Sequence, residues 1–223
     1  MIEILDYTTK EPLQMIGKMA GVCWNANVND KDKNIKRALD CIISGHGRVE
    51  EFPDIYVVLE GYSAKALREL YTHIAGVTRL QASTRYIDYS KNVECVTPKT
   101  ILLNNKAKIL WDKTIKEIHD AMSDLKDMGI PTEDYTNLLP IAYKSKMVWK
   151  INLRSLENFM NQRMCARAYW EIREFAYDLK KMLSKYSDEW KIITDKLFVP
   201  KCDKCGYCTE AKSCGRKPKK ESL

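Results

Sequence analysis

A chain of 223 residues, 45% apolar and 30% charged, can bury a sizeable core and has room for one main domain and a small appendage. Lys201 to Leu223 holds seven basic residues against three acids, so much of the net charge of +7 sits in a tail, which argues against a broad nucleic-acid-binding face. No run of about 18 apolar residues exists, and the N-terminus MIEILDYTTK lacks the apolar core of a signal peptide, so no membrane partner and an intracellular, cytoplasmic location are expected.

Residues 2–6, IEILD, predict a first strand, and Pro12 to Cys23 a helix burying Met15, Ile16, Met19 and Ala20. A polar stretch from Asn25 to Asn34 leads to a second helix, Ile35 to Ser44, stopped by Gly45. The run Ile55 to Leu59, between Pro53 and Gly61, is the best strand in the chain. Ser63 then caps a helix with Ala64, Leu67, Leu70, Tyr71 and Ile74 at helical spacing, which places Glu69 and His73, four apart, on one face. Gly76, Val77 and Thr78 break that pattern, and Arg79, Gln81, Ser83, Thr84 and Arg85 follow in a donor-rich loop ending at Tyr86. Such a set suits an anion carried on a planar polar ligand, such as a nucleotide; a solvated loop is the plain alternative.

Tyr86 to Val96 is expected to be extended, and Lys99 to Met128 helical up to Gly129, Ile130 and Pro131. Tyr135 to Pro140 forms a loop before Ile141 to Ile151, and a long helix from Asn152 to Tyr186 closes the main domain, taken as residues 1–198. At ~100° per residue, Asn152 and Arg163 fall within about 20° of each other, and Arg154 and Asn158 pair near the opposite side. Leu153, Leu156, Met160 and Met164 make the apolar stripe between them. Cys23, Cys41, Cys95 and Cys165 stand singly and fit reduced, buried thiols. In the appendage, residues 199–223, Cys202, Cys205, Cys208 and Cys214 are spaced C-x2-C-x2-C-x5-C. That spacing points to a structural tetrahedral Zn²⁺ site, with an iron–sulfur cluster as the alternative.

The order GH, VEEF, a strand, a helix with His73, a loop ending STRY, an LP, then NLRSLENFMNQR and AYWEIR resembles the flavin-dependent thymidylate synthases over nearly the whole chain. The resemblance implies an α+β fold, a small, mostly antiparallel sheet packed with several long helices. It also implies a homotetramer with active sites shared between subunits. The implied reaction is reductive methylation of deoxyuridylate (dUMP) to dTMP, with methylene-tetrahydrofolate as carbon donor, reduced FAD as hydride donor and NADPH as reductant. By position, His46, Glu51, His73, Asn152, Arg154 and Asn158 match the flavin site. Ser83 and Arg85 match the loop that holds the nucleotide phosphate, with Arg79, Gln81 and Thr84 beside them, and Glu69 stands where the family usually has a Gln near the nucleotide. Arg163 matches the catalytic arginine on the uracil ring.

This chain also departs from the family pattern. Thr72, His73 and Ile74 replace the family's RHR triplet, the loop to STRY is one residue longer, and Thr136 stands near the place of another arginine. Arg79 or Arg48 is expected to compensate, because a guanidinium reaches the same space from another backbone position. The losses leave room for another pyrimidine nucleotide as substrate. From a different class, a zinc-knuckle nucleic-acid-binding module accounts for the tail but not for the pattern from Asn152 to Arg163. Some family members share a GYCxExxSCGR ending, so the cysteine segment reads as an appendage and not as the catalytic centre.

Overall fold

The computed structural model describes residues 1–220. Alternating side chains generate its sheet. In β4 (Lys144–Asn152) the buried positions are Ser145, Met147, Trp149 and Ile151, and in β2 (Asp54–Ser63) they include Ile55, Val57 and Leu59. With β1 (Ile2–Ile4) and β3 (Val77–Gln81) these strands form, among the described residues, a small antiparallel four-stranded sheet in the order β1-β2-β4-β3. The mixed architecture is the expected α+β class.

The residues divide into two compact units. The first contains Met1, Val58–Thr72 and Arg79–Val148, and its core is Val93, Met122, Tyr135 and Tyr143, with Ile118, Leu125 and Leu139 packed on it. The helix expected from Lys99 to Met128 is here two, α4 (Lys99–Leu102) and α5 (Asn105–Asp127). Asn104 between them is extended, and its side chain caps α5 by accepting from Ala107 N at 3.1 Å. The segment from Tyr86 to Val96 is not a strand, apart from an isolated bridge at Cys95. It is tied down by Asp88, which accepts from the Tyr135 hydroxyl at 2.9 Å and pairs with Lys126 at 2.7 Å.

The second unit contains Ile2–Val57, His73–Thr78 and the described residues from Trp149 onward. Its helices α1 (Pro12–Cys23) and α2 (Lys31–Ile43) cross so closely at Gly17 that a Cβ there would lie 1.9 Å from the Asn34 carbonyl oxygen. Only glycine permits that approach. Trp149, Phe159 and Phe175 stack edgewise or tilted at 5.3–5.9 Å. The helix α9 (Asp188–Leu197) anchors this core, for Trp190 Nε1 donates to Thr9 O at 2.7 Å and Glu189 accepts from Leu13 N at 2.7 Å.

Three expectations change. The helix after Ser63, α3, covers only Ala64–Leu70, so Tyr71 and Ile74 lie beyond it, exposed, and Glu69 and His73 share no helical face. Val77–Gln81 is a strand and not a loop, because its β-branched start pairs at the sheet edge, with Val77, Arg79 and Gln81 on the half-buried side and Thr78 and Leu80 on the exposed side. The long helix breaks into α7 (Leu153–Arg163) and α8 (Trp170–Tyr186), separated by a turn in which Ala168 N donates to Cys165 O at 3.0 Å. Among the described residues no helix is long and apolar enough to cross a membrane.

Candidate functional site

In the second unit the polar side chains gather around the start of α7. Asn152 is the N-cap, its Oδ1 accepting from Ser155 N at 2.9 Å. The segment 73–76 lies across this helix end. Asn152 N donates to Gly76 O at 3.0 Å, and Ser155 Oγ donates to Ala75 O at 2.7 Å. Gly76 has a φ of +63°, and a Cβ there would fall 2.1 Å from the Asn152 amide nitrogen, so both its conformation and its position demand glycine. Asn152 thus acts first as a structural clamp.

The clamp fixes His73. Its ring is 8% exposed and meets Phe159 edge-on at 5.1 Å. Burial, reinforced by the charge of Arg163 at the other end of α7, lowers the imidazole pKa to about 4, so His73 is neutral at pH 7. The structure therefore brings together two residues ninety positions apart that the sequence could only match separately.

The turn Gly47–Glu51 packs on the same helix, and Glu51 pairs with Arg154 at 2.5 Å. Arg154 is about half exposed and keeps further N–H donors for a ligand. Asn158 accepts from Gln162 at 3.0 Å, which leaves its NH₂ available, and His46 is exposed at the head of the turn. This set of guanidinium, amide and neutral imidazole fits the carbonyl and ring-nitrogen acceptors of a flavin.

Beside this set lie three residues that sequence reasoning missed. Glu50 is 5% exposed. Burial first, then the charge and hydrogen bond of Glu157, push its pKa up to about 8, while Lys204 and Arg154 oppose the shift. Lys204, on α10 (Lys201–Cys205), forms an ion pair with Glu157. The sequence signal was the first acid of VEEF, which spacing alone could not distinguish from Glu51.

The first unit carries the other expected set. Arg79 sits on β3 with its guanidinium 4.2 Å from the centroid of the Tyr71 ring. Gln81 donates to Ser145 Oγ at 3.3 Å. Ser83 Oγ accepts from Arg85 N at 3.2 Å, and Thr136 Oγ1 donates to Thr84 O at 2.8 Å, so the loop has a defined backbone. Arg85 is exposed and paired with Glu133 at 2.8 Å. Glu69 is half-buried, and its carbonyl accepts from the Thr72 hydroxyl at 2.7 Å.

The four-sulfur zinc site expected from spacing is not supported by the placement of the thiols among the described residues. Among the described residues, no group of three or more His, Cys, Asp or Glu side chains is placed to hold a metal ion. Cys205 is exposed with its sulfur 3.0 Å from Tyr207 O, whereas Cys202, Cys208 and Cys214 line a cavity that Cys205 does not reach. A helical first C-x2-C, in α10, accounts for the difference: it turns Cys205 toward its own backbone.

Residues 3–187 match the family described as thymidylate synthase complementing protein. A flavin-dependent thymidylate synthase of Pyrococcus furiosus is 32% identical, covering 94% of this chain and 89% of its own. Another, from Nitratidesulfovibrio vulgaris, is 29% identical over 100% of this chain and 97% of its own. The crystal structure of thymidylate synthase X from Helicobacter pylori with FAD and dUMP has the same fold, with a TM-score of 0.70 at 20% identity over 87% of this chain and 99% of that one.

Proposed function

The chain belongs to the thymidylate synthase complementing protein family, and from that premise we propose that it is a flavin-dependent thymidylate synthase converting dUMP to dTMP. The observation that carries the reading is the preorganised start of α7, where Arg154, Asn158 and the neutral His73 offer donors and Arg163 lies within electrostatic reach of His73. His46, Glu51, His73, Arg154 and Asn158 hold the flavin, with Asn152 fixing the helix end. Reduced FAD supplies a hydride, with NADPH as its reductant and methylene-tetrahydrofolate as the carbon source.

The remaining roles belong to the protein's own side chains. Hydride arriving at a pyrimidine ring pushes negative charge onto the ring oxygens and nitrogen, and the fixed guanidinium of Arg163 stabilises that charge more in the transition state than in the ground state. A neutral His73 orients by hydrogen bonding without adding a second cation beside Arg163. Ser83 and Arg85 take the nucleotide phosphate with Gln81 and Thr84 in the same loop, Arg85 exchanging Glu133 for the phosphate as it binds. Arg79 supplies a guanidinium to the nucleotide in place of those missing from the RHR triplet, and Glu69 contacts the nucleotide. Residues 1–198 form the catalytic part, and the protein acts as a homotetramer with shared sites, in the cytoplasm.

The loss of both arginines flanking His73 favours one further reading, the same C5 chemistry on another pyrimidine nucleotide. The deciding experiment adds FAD to purified protein and follows tritium release from C5-labelled dUMP in the presence of methylene-tetrahydrofolate and NADPH. The proposal expects bound flavin that bleaches under NADPH and tritium release that requires all components. FAD uptake with no release from dUMP, but turnover of a different pyrimidine nucleotide, supports the second reading. A colourless protein that ignores FAD and binds nucleic acid with steep salt dependence overturns both.

A further inference from the structure

Three of the four motif thiols share a cavity wall with a thiol from outside the motif. A cavity of about 350 Å³ in the second unit is lined by the end of α7, the turn after it and the C-terminal segment. Its wall holds Cys165, Cys202, Cys208 and Cys214. Cys165 stands outside the spaced motif, and Cys205, inside the motif, is absent from the wall. A smaller cavity of about 180 Å³ is also lined by Cys165, Cys202 and Cys214. Cys165 and Cys202 thus border both spaces, both are half-buried, and Cys202 lies within electrostatic reach of Cys165.

The larger cavity is strongly cationic. Five arginine and lysine side chains, Arg163 and Arg167 among them, line it against the carboxylate of Glu210. Cys165 also receives the Arg167 backbone N–H at 3.5 Å from its sulfur.

We propose that Cys165 and Cys202 form a thiol–disulfide exchange site for anionic low-molecular-weight disulfides. The Cys165 thiolate attacks one sulfur of the small disulfide, forming a mixed disulfide and releasing one small thiolate. Cys202, after giving up its proton, attacks the Cys165 sulfur, closes the intramolecular bond and releases the second small thiolate. Two electrons and two protons pass from the protein to the small disulfide, which leaves as two thiols. The bond ties the turn two residues beyond Arg163 to α10, so the oxidation state of the pair is felt at the wall that Arg163 shares.

The test uses the full chain and reads thiols, independently of turnover. Reduced protein is incubated with glutathione disulfide, alkylated, digested and mapped by mass spectrometry. The expected product is a Cys165–Cys202 linked peptide, and Cys202→Ser should trap glutathione on Cys165. At low salt glutathione disulfide should react about tenfold faster than the cationic disulfide cystamine, a ratio that collapses in high salt. Complete alkylation of Cys165, disulfides confined to the motif cysteines, or one metal ion per chain held by those thiols in the isolated protein would overturn the proposal. Equal rates for the two small disulfides would overturn its anionic preference.

Discussion

Around the start of α7, residues from three separated stretches are locked by backbone hydrogen bonds, a capping asparagine and a glycine that no other residue could replace. In the loop after β3 the backbone is also defined, but Arg85 is exposed and already engaged by Glu133, and Arg79 lies on Tyr71. On the proposed reading the first region would receive a planar ligand on a fixed backbone, with Arg154 still paired to Glu51, and the second would release Arg85 from Glu133 to grip an anion. If both proposed sets bind, they would contribute in different ways, the α7 region by preorganisation and the loop by exchange.

The largest expected effect comes from Arg163. Arg163→Ala should lower kcat by about 10²–10³, as removal of a transition-state charge donor does, and weaken dUMP binding as well, while flavin content stays constant; a loss confined to KM would remove its transition-state role. Next is Arg79→Ala. If Arg79 takes over from the missing arginines, the Kd for dUMP should rise by the equivalent of about 1.5–3 kcal/mol, the range for a charge-assisted bond, and an unchanged Kd assigns Arg79 to the sheet edge alone.

A third prediction compares the regions by pH. The folded-state pKa of Glu50 is raised from 4.5 to about 8, so the stabilisation linked to it is complete below about pH 4.5 and is lost as pH rises through 8. Asp88 in the first unit behaves oppositely. Its pKa is lowered, chiefly by Lys126, so its contribution is present at neutral pH and lost in acid. Thermal melts from pH 5 to 9 should show that Glu50→Gln flattens the alkaline decline and Asp88→Asn leaves it in place; an unaltered slope in Glu50→Gln would mean that Glu50 ionises normally. The smallest effect is expected for Glu133→Ala. Freeing Arg85 from an exposed pair worth about 0.2–1 kcal/mol should tighten dUMP binding by up to about fivefold, and weaker binding would show that Glu133 orients Arg85 instead of competing for it.

The sequence made the α7 region legible because NLRSLENFMNQR combines a capping residue, an apolar stripe and fixed polar positions in one element. It did not reveal the clamp. The periodicity of Leu67, Leu70, Tyr71 and Ile74 ran past the true end of α3, since an exposed apolar residue beyond a helix is indistinguishable from a buried one within it. The break after α7 was hidden for a related reason, because Ala166, Arg167 and Ala168 are good helix formers that tertiary packing places in a turn. Strand β3 reads as a loop because this short edge strand carries Arg79 and Gln81, residue types of a donor-rich loop, at half-buried positions and leaves Leu80 exposed. Cysteine spacing, finally, gave the order of the thiols along the chain and not the direction in which each one points.

A dUMP titration of the flavin-loaded protein, followed in the flavin absorption spectrum, tests most directly whether α7 is a ready-made flavin platform with Arg163 as its link to the nucleotide. The account predicts a saturable spectral change in the natural protein, and in Arg163→Ala full flavin content with that change abolished or shifted to much higher dUMP. A protein that takes up no FAD, or an Arg163→Ala variant whose titration matches the natural one, would contradict it.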